Sequence, residues 1–259
     1  MKKELQGGRE GQIFREGNAV IRPMNSWSKE VHDFLSFLDK QGVESVPRPL
    51  KLTEASEYVS FVPGEVFNDP LPQIFFTDQM VISAAELLSI FHERGKNYIY
   101  NLTGSEKWML KSGDKAEIMC HGDFAPYNVT IIDNKAFGII DFDTLHPGSK
   151  MEDVAYAVYR WCLLDGGQAG EISWSEKIRK TKLFLDIYGL DEKDRVQLPW
   201  AITKRLLNLV SFMEKEASKG TPNFQKNIED GHVKKYLTDI EQINKRKKQI
   251  ISGIRNVKF

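Results

Sequence analysis

The stretch that decides the fold reads His121-Gly122-Asp123-Phe124-Ala125-Pro126-Tyr127-Asn128, followed by Ile139-Ile140-Asp141-Phe142-Asp143. Each piece closes a short apolar run, Ala116 to Cys120 and Ala136 to Ile140, that reads as a strand. Val129 to Asp133 reads as a third strand, turning at Asp133-Asn134-Lys135. Acid and amide side chains are thereby set on short loops at strand ends, where a rigid frame holds polar chemistry in place.

Outward toward the N-terminus, residues 1–62 read as a small sheet with one helix. Leu5 to Gly11 is a glycine-rich turn. Gln12 to Arg15 and Asn18 to Arg22 form a hairpin about Glu16-Gly17-Asn18, and Pro23 stops its second strand. Ser26 or Ser28 is set to cap a helix to about Lys40, with Val31, Phe34, Leu35 and Leu38 on one face and Gln41-Gly42 at its end. Arg48 to Lys51 and Glu57 to Val62 read as two more strands, and Pro63-Gly64 as the lobe boundary.

The rest, 63–259, is mainly helical. Thr77 caps a helix to about Arg94. Met151 to Leu164 is a helix bearing Tyr156, Tyr159, Arg160 and Trp161, and its aromatic face reads as core. Trp174 to Tyr188 is closed by Gly189, Asp191 to Lys219 reads as one helix bent at Pro199, and Asn223 to Val257 is helical with weak points at Gly231 and Gly253. A β-rich piece followed by a helical piece makes an α+β, two-lobed plan.

Composition narrows the class. The 36 basic and 36 acidic residues leave a formal charge of +0, so no bulk attraction to nucleic acid or membrane is expected. The local run Lys245-Arg246-Lys247-Lys248 reads as a solvated helix face, because no aromatics interleave it. Cys120 and Cys162 have neither metal nor disulfide-framework spacing and read as buried thiols, which fits a reducing cytoplasm. The first residues lack the apolar run of a signal peptide, and no segment approaches the roughly 18 apolar residues of a membrane span.

Phosphoryl transfer needs a group to orient the attacking hydroxyl, a Mg²⁺ held by hard oxygen ligands, and a clamp on the nucleotide phosphates. Asp123 suits the first task. Asn128, past the loop sharpened by Pro126, and Asp141 suit the second. Asp and Asn are common in turns, so each alone reads as structural; together at this spacing they read as catalytic.

The set His121-Gly122-Asp123 with Asn128, then Ile140-Asp141-Phe142, then Asp153-Val154-Ala155, resembles the signature of the aminoglycoside phosphotransferase family, relatives of protein kinases. The longer runs Asp123 to Asn128, Asp141 to Thr144 and Asp153 to Tyr156 resemble its trifolitoxin-immunity-like subgroup. The resemblance implies a two-lobed protein-kinase-like fold, ATP (or GTP) and Mg²⁺ as cofactors, and a small-molecule hydroxyl as acceptor. It makes Asp123 the catalytic aspartate that accepts the hydroxyl proton, Asn128 and Asp141 the metal ligands, His121 a scaffold residue, and Asp153 a support for the catalytic loop. Ser60, Phe61 and Val62 become the hinge that meets adenine. Gly7, Gly8 and Gly11 lie where a loop would cover the phosphates. Arg22 takes the place of the kinase lysine, with Glu30 as its helix partner. Asp143 replaces the last glycine of the kinase triplet, as a third acidic ligand, a substrate contact or a supporting group. A different class is also open: a kinase-like binding or immunity protein that sequesters a peptide or small molecule without phosphorylating it. Asp165, Glu171, Asp191, Glu192 and Asp194 alternate with Lys177, Arg179, Lys180, Lys182, Lys193 and Arg195, so no acidic pocket for a polycation is read.

Overall fold

The computed structural model describes residues 2–5, 11–164 and 170–255. Gly7, Gly8 and Asp165 lie outside them. The chain opens with β1 (Lys3–Glu4), β2 (Phe14–Glu16) and β3 (Ala19–Pro23), continues through α1 (Ser28–Lys40), and returns as β4 (Pro49–Leu52) and β5 (Ser56–Ser60). These strands make one antiparallel sheet in the order β1-β2-β3-β5-β4. In α1 the apolar stripe of Val31, Phe34, Leu35 and Leu38 is buried, as its spacing predicts. Neither candidate serine caps α1: Trp27 holds the cap position, and Ser28 Oγ instead accepts from the Asn25 N–H at 3.0 Å.

Beyond the Pro63-Gly64 turn, Glu65 bridges to Ile131. Gly64, at φ +115°, is needed there because a Cβ would sit 2.9 Å from the Ile131 carbonyl oxygen. α2 (Asp78–Gly95) starts where expected, with Thr77 Oγ1 accepting from the Met80 N–H at 3.3 Å. Then come β6 (Ile118–Cys120), the hairpin β7 (Val129–Ile132) and β8 (Lys135–Ile139), and β9 (His146–Gly148). Asp133 and Asn134, at φ 49° and 60°, supply the two positive φ values of a type I′ hairpin turn. β9 was not legible in the sequence. It pairs with β6, Cys120 opposite His146, and so brings the loop after Asp141 beside the loop that starts at His121.

Helices complete the chain. α3 (Lys150–Val158) is α-helical only to Val158, and Tyr159–Leu163 continues it as a π-helical turn rather than the uniform helix expected. α4 (Trp174–Tyr188) ends at Gly189, at φ +84°. The long helix expected over 191–219 is two: α5 (Glu192–Arg195) and α6 (Leu198–Ser218), with Pro199 in the first turn of the second, where its missing N–H is harmless. α7 (Pro222–Glu229), α8 (His232–Lys245) and α9 (Lys247–Ile254) follow. Gly231 breaks the chain before α8, but Gly253 is a packing position, where a Cβ would meet Ile178 Cγ2 at 2.3 Å.

The core is continuous between the two parts. Phe34 of α1 lies edge-on to Phe91 of α2 at 5.9 Å and to Tyr98 at 5.0 Å. Phe91 in turn touches the rings of His121 and Phe142. The α+β, two-lobed plan is therefore the plan of the molecule. Both cysteines are buried and free. Among the described residues, no helix is long and apolar enough to cross a membrane.

Candidate active site

The loop after β6 is held by its backbone. Gly122 lies at φ +82°, and a Cβ there would fall 2.5 Å from the Thr144 carbonyl oxygen, so only glycine fits. Asp153 on α3 accepts from the His121 N–H at 2.7 Å and the Gly122 N–H at 2.9 Å. Thr144 Oγ1 donates to the His121 carbonyl at 2.8 Å, an Arg205 Nη donates to the Gly122 carbonyl at 2.7 Å, and Trp161 Nε1 donates to the Phe124 carbonyl at 3.1 Å. Buried backbone polar groups must be paired, and here side chains from α3, its π extension, α6 and the loop after β8 do the pairing.

His121 is fully buried and serves this frame. Its Nδ1 accepts from the Asp123 N–H at 3.3 Å, so its Nε2 carries the proton donated to the Ile140 carbonyl at 3.0 Å. Asp153 is also buried and accepts from His92 Nε2 at 2.9 Å, while the Tyr188 hydroxyl meets His92 Nδ1 at 2.7 Å. Burial alone would raise the Asp153 carboxyl, but the hydrogen bond from His92, the electrostatic influence of the His92 and His121 rings, and the Gly122 N–H bring it down to about 2. His92 went unread in the sequence because it lies on a distant helix with no motif around it.

Asp123 points into the site. Its Oδ1 accepts from the Tyr127 hydroxyl at 2.9 Å and its Oδ2 from Asn128 Nδ2 at 2.9 Å. Burial pushes the Asp123 carboxyl above its ordinary value, against the opposing effects of Arg160, His121 and the hydroxyls of Tyr127 and Tyr156. Asn128 Nδ2 also donates to the Asp123 carbonyl at 3.0 Å, so the amide orientation is set and Oδ1 is left for another partner. Tyr127 stood within the quoted motif with no role assigned; here it holds one oxygen of Asp123.

Asp141 follows β8 in the left-handed region, at φ 61° and ψ 70°, with its side chain 51% exposed. A non-glycine residue held there belongs to the strained positions that cluster at functional sites. Arg22, on β3, reaches across from the sheet: Nη1 lies 3.2 Å from Asp141 Oδ1, and Nη2 bonds Asp143 Oδ1. Its Nε lies 2.7 Å from Glu57 Oε1 on β5, directly across the ladder. Glu57, not Glu30, is therefore the partner of Arg22. Glu30 accepts instead from the Lys107 N–H at 3.2 Å. Burial would lower the Arg22 pKa, but the three carboxylates raise it overall. Asp143 is 7% exposed and also accepts from Trp27 Nε1 at 3.2 Å, so it ties the loop after β8 to the sheet and α1.

The three expected hinge residues lie at the end of β5. Ser60 donates its N–H to the Arg48 carbonyl at 2.8 Å, and Phe61 donates its own to the Asn18 carbonyl at 2.7 Å. The Arg15 guanidinium stacks on the Phe61 ring at 3.5 Å. Val62 is buried beside Gly138, where a Cβ would strike Val62 Cγ1. Gly11, at φ +75°, donates its N–H to Glu4 Oε1 at 2.6 Å, a turn-closing contact. Among the described residues, no group of three or more His, Cys, Asp or Glu side chains converges as a metal cage. The oxygen pair of Asn128 and Asp141 suits an ion that also draws ligands from phosphates and water.

A model of the phosphotransferase enzyme family matches residues 101–174, the segment from before β6 through the π turn. No curated protein matches the chain. Among solved structures, a choline/ethanolamine kinase family protein from Mesorhizobium loti is similar, with TM-score 0.62, 13% identity, and 97% of this chain and 92% of that one covered. The fold is protein-kinase-like. Choline kinase from Cryptosporidium parvum gives TM-score 0.58 at 10% identity, covering 97% and 90% of the two chains. Spectinomycin phosphotransferase, solved with ADP and spectinomycin, gives 0.55 at 13% identity, covering 93% and 88%.

Proposed function

We propose that this protein is a nucleotide-dependent phosphotransferase that moves the terminal phosphoryl group of ATP (or GTP) to a hydroxyl of a small molecule. The observation that carries the reading is the Asp123–Asn128 pair: Nδ2 of the amide is fixed on Asp123, and its Oδ1 is left for another partner. The phosphotransferase family match and the small-molecule kinases that share the fold add support. The finer likeness to the trifolitoxin-immunity-like subgroup is part of the same proposal.

In this reading residues 1–62 form the nucleotide-binding lobe and residues 63–259 the catalytic and substrate lobe. Val62, among the hinge residues, offers the backbone N–H not already spent, and the Ser60–Phe61 backbone holds the hinge to the sheet. Asn128 Oδ1 and the Asp141 carboxylate would hold Mg²⁺, which when bound neutralises charge on the phosphate oxygens. Arg22, released from Asp141, clamps phosphate with its planar fork while Glu57 keeps its other edge. Asp123 receives the acceptor hydroxyl by hydrogen bond and takes its proton; its raised pKa makes it a stronger base than an exposed carboxylate. Tyr127 and Asn128 hold the carboxylate in one orientation for that step. The reducing cytoplasm, where two free thiols persist, is the proposed compartment.

The test is Asp123→Asn, which keeps shape and one acceptor oxygen but removes the base. Turnover is expected to fall by about a thousandfold or more, with ADP–Mg²⁺ affinity kept. Phosphoryl transfer at the wild-type rate by this variant would overturn the assignment, and a wild-type protein that binds no nucleotide would favour the sequestering alternative.

A further inference from the structure

Arg160 stands on the π turn beside the Asp123 loop and is 8% exposed. A guanidinium buried to this degree is expected to meet a carboxylate or several carbonyls. This one does not. Its Nε has no hydrogen-bond partner. Its nearest carboxylate is Asp69 Oδ2, 3.9 Å from Nη2, beyond hydrogen-bonding reach and on a side chain that is 67% exposed. What it does touch is aromatic: it lies 4.9 Å from the centre of the Tyr127 ring, whose hydroxyl donates to Asp123. Tyr156, Tyr236 and, farther than 4 Å, the Asp123 carboxylate are also within electrostatic reach.

The other buried arginines of this region are paired. Arg205 also lies on a tyrosine ring, that of Tyr156, but it donates to the Gly122 carbonyl. Arg195 bonds Asp186 and the Leu190 carbonyl, and Arg22 meets three carboxylates. The π turn is what makes Arg160 different. One wide turn rotates the side chains after Val158 out of the α-helical register, so Trp161 reaches back to the Phe124 carbonyl while Arg160 is directed to Tyr127. π turns recur at functional sites.

From this geometry we infer that the acceptor carries an anionic group, a carboxylate or a phosphate ester, which Arg160 binds while Asp123 receives the hydroxyl. This rests on the phosphotransferase reading and names its substrate class. The guanidinium supplies the two parallel donors that either anion takes, and the tyrosine face supplies an apolar wall for the carbon skeleton. A cationic acceptor would be repelled from this wall.

Titration calorimetry on the full chain with ADP and Mg²⁺ tests the inference, using glycerate, glycerol 3-phosphate, glycerol and ethanolamine as probes. At least one of the two anions is expected to bind about tenfold or more tightly than glycerol, and which one does so separates carboxylate from phosphate. Arg160→Met should bring that anion down to the glycerol level with ADP affinity unchanged, and Arg160→Lys should keep part of the preference. If the methionine variant fails to fold, the lysine variant alone carries the comparison. Equal binding of anions and glycerol, stronger binding of ethanolamine, no binding of either anion, or an anion preference that survives both substitutions overturns the inference. The ADP titration in the same experiment reports separately on the phosphotransferase reading, because Arg160 makes no contact with the Asn128–Asp141 side.

Discussion

Asp153 and Arg160 are both buried charges, 1% and 8% exposed, on one continuous helical segment. Asp153 accepts three hydrogen bonds, from two backbone N–H groups of the Asp123 loop and from His92. Arg160 makes none among the described residues: it lies on a tyrosine face, 3.9 Å from the exposed Asp69 carboxylate and within electrostatic reach of Asp123. A buried charge fully paired inside the chain is a fixed part of the frame. A buried charge left unpaired implies a partner from outside, because burial without one is costly. The same helical segment thus fixes the Asp123 loop at one end and, in the proposed reading, offers its free donors to the acceptor at the other.

The comparison is broken most severely at its paired end. Asp153→Ala leaves the His121 and Gly122 N–H groups and His92 without their acceptor, and it is expected to cost about 3 to 5 kcal/mol of stability, read from urea unfolding. Turnover should fall with it, since the Asp123 loop loses its anchor. An unfolding midpoint unchanged by this substitution would mean that the loop is held elsewhere. Arg160→Met, by contrast, should cost little stability, having no internal hydrogen bond to lose.

Acid titration sharpens the contrast. The Asp153 carboxyl stands at about 2 in the fold against an ordinary 3.8, so its contribution is fully present above the ordinary value. That contribution, on the order of 2 kcal/mol, is lost as pH falls from about 4 toward 2. The acid limb of the stability curve should therefore flatten in Asp153→Ala. Asp123 has the opposite sign: its carboxyl is raised, so the fold gains stability as that carboxyl is protonated, and Asp123→Asn, which removes the gain, should steepen acid unfolding. A shallower acid limb in that variant would contradict the assigned direction.

The smallest expected effect concerns Asp143, a carboxylate paired across the lobes. Trp27→Phe removes one donor and leaves the Arg22–Asp143 contact. A loss of about 1 kcal/mol is expected, read by thermal melting, with turnover close to wild type.

Much of the Asp123 loop was legible because its constraints are local. Asp123 and Asn128 lie on one short loop and meet through their own side chains, so spacing alone carries the information. The hairpin turn at Asp133-Asn134 and the cap at Thr77 are local in the same sense. Pro199 was misjudged because proline fits both a bend and a helix start, and the break before it has no marker of its own.

By itself the sequence determined the two-lobed α+β plan and the positions of the strands that carry Asp123 and Asp141. Periodicity and backbone sterics act over a few residues, so they can be read along the chain. Tertiary structure alone decided the rest. Glu57 meets Arg22 because β3 lies beside β5 in the sheet, and Asp143 meets both Arg22 and Trp27 because β9 folds back on β6. His92 reaches Asp153 because α2 packs against the loop. Arg160 is turned to the tyrosine face by a single π turn, in a stretch whose apolar pattern reads like any α-helix. Each of these joins residues far apart in sequence or depends on a small change in helical register, and neither leaves a periodic signal in the sequence.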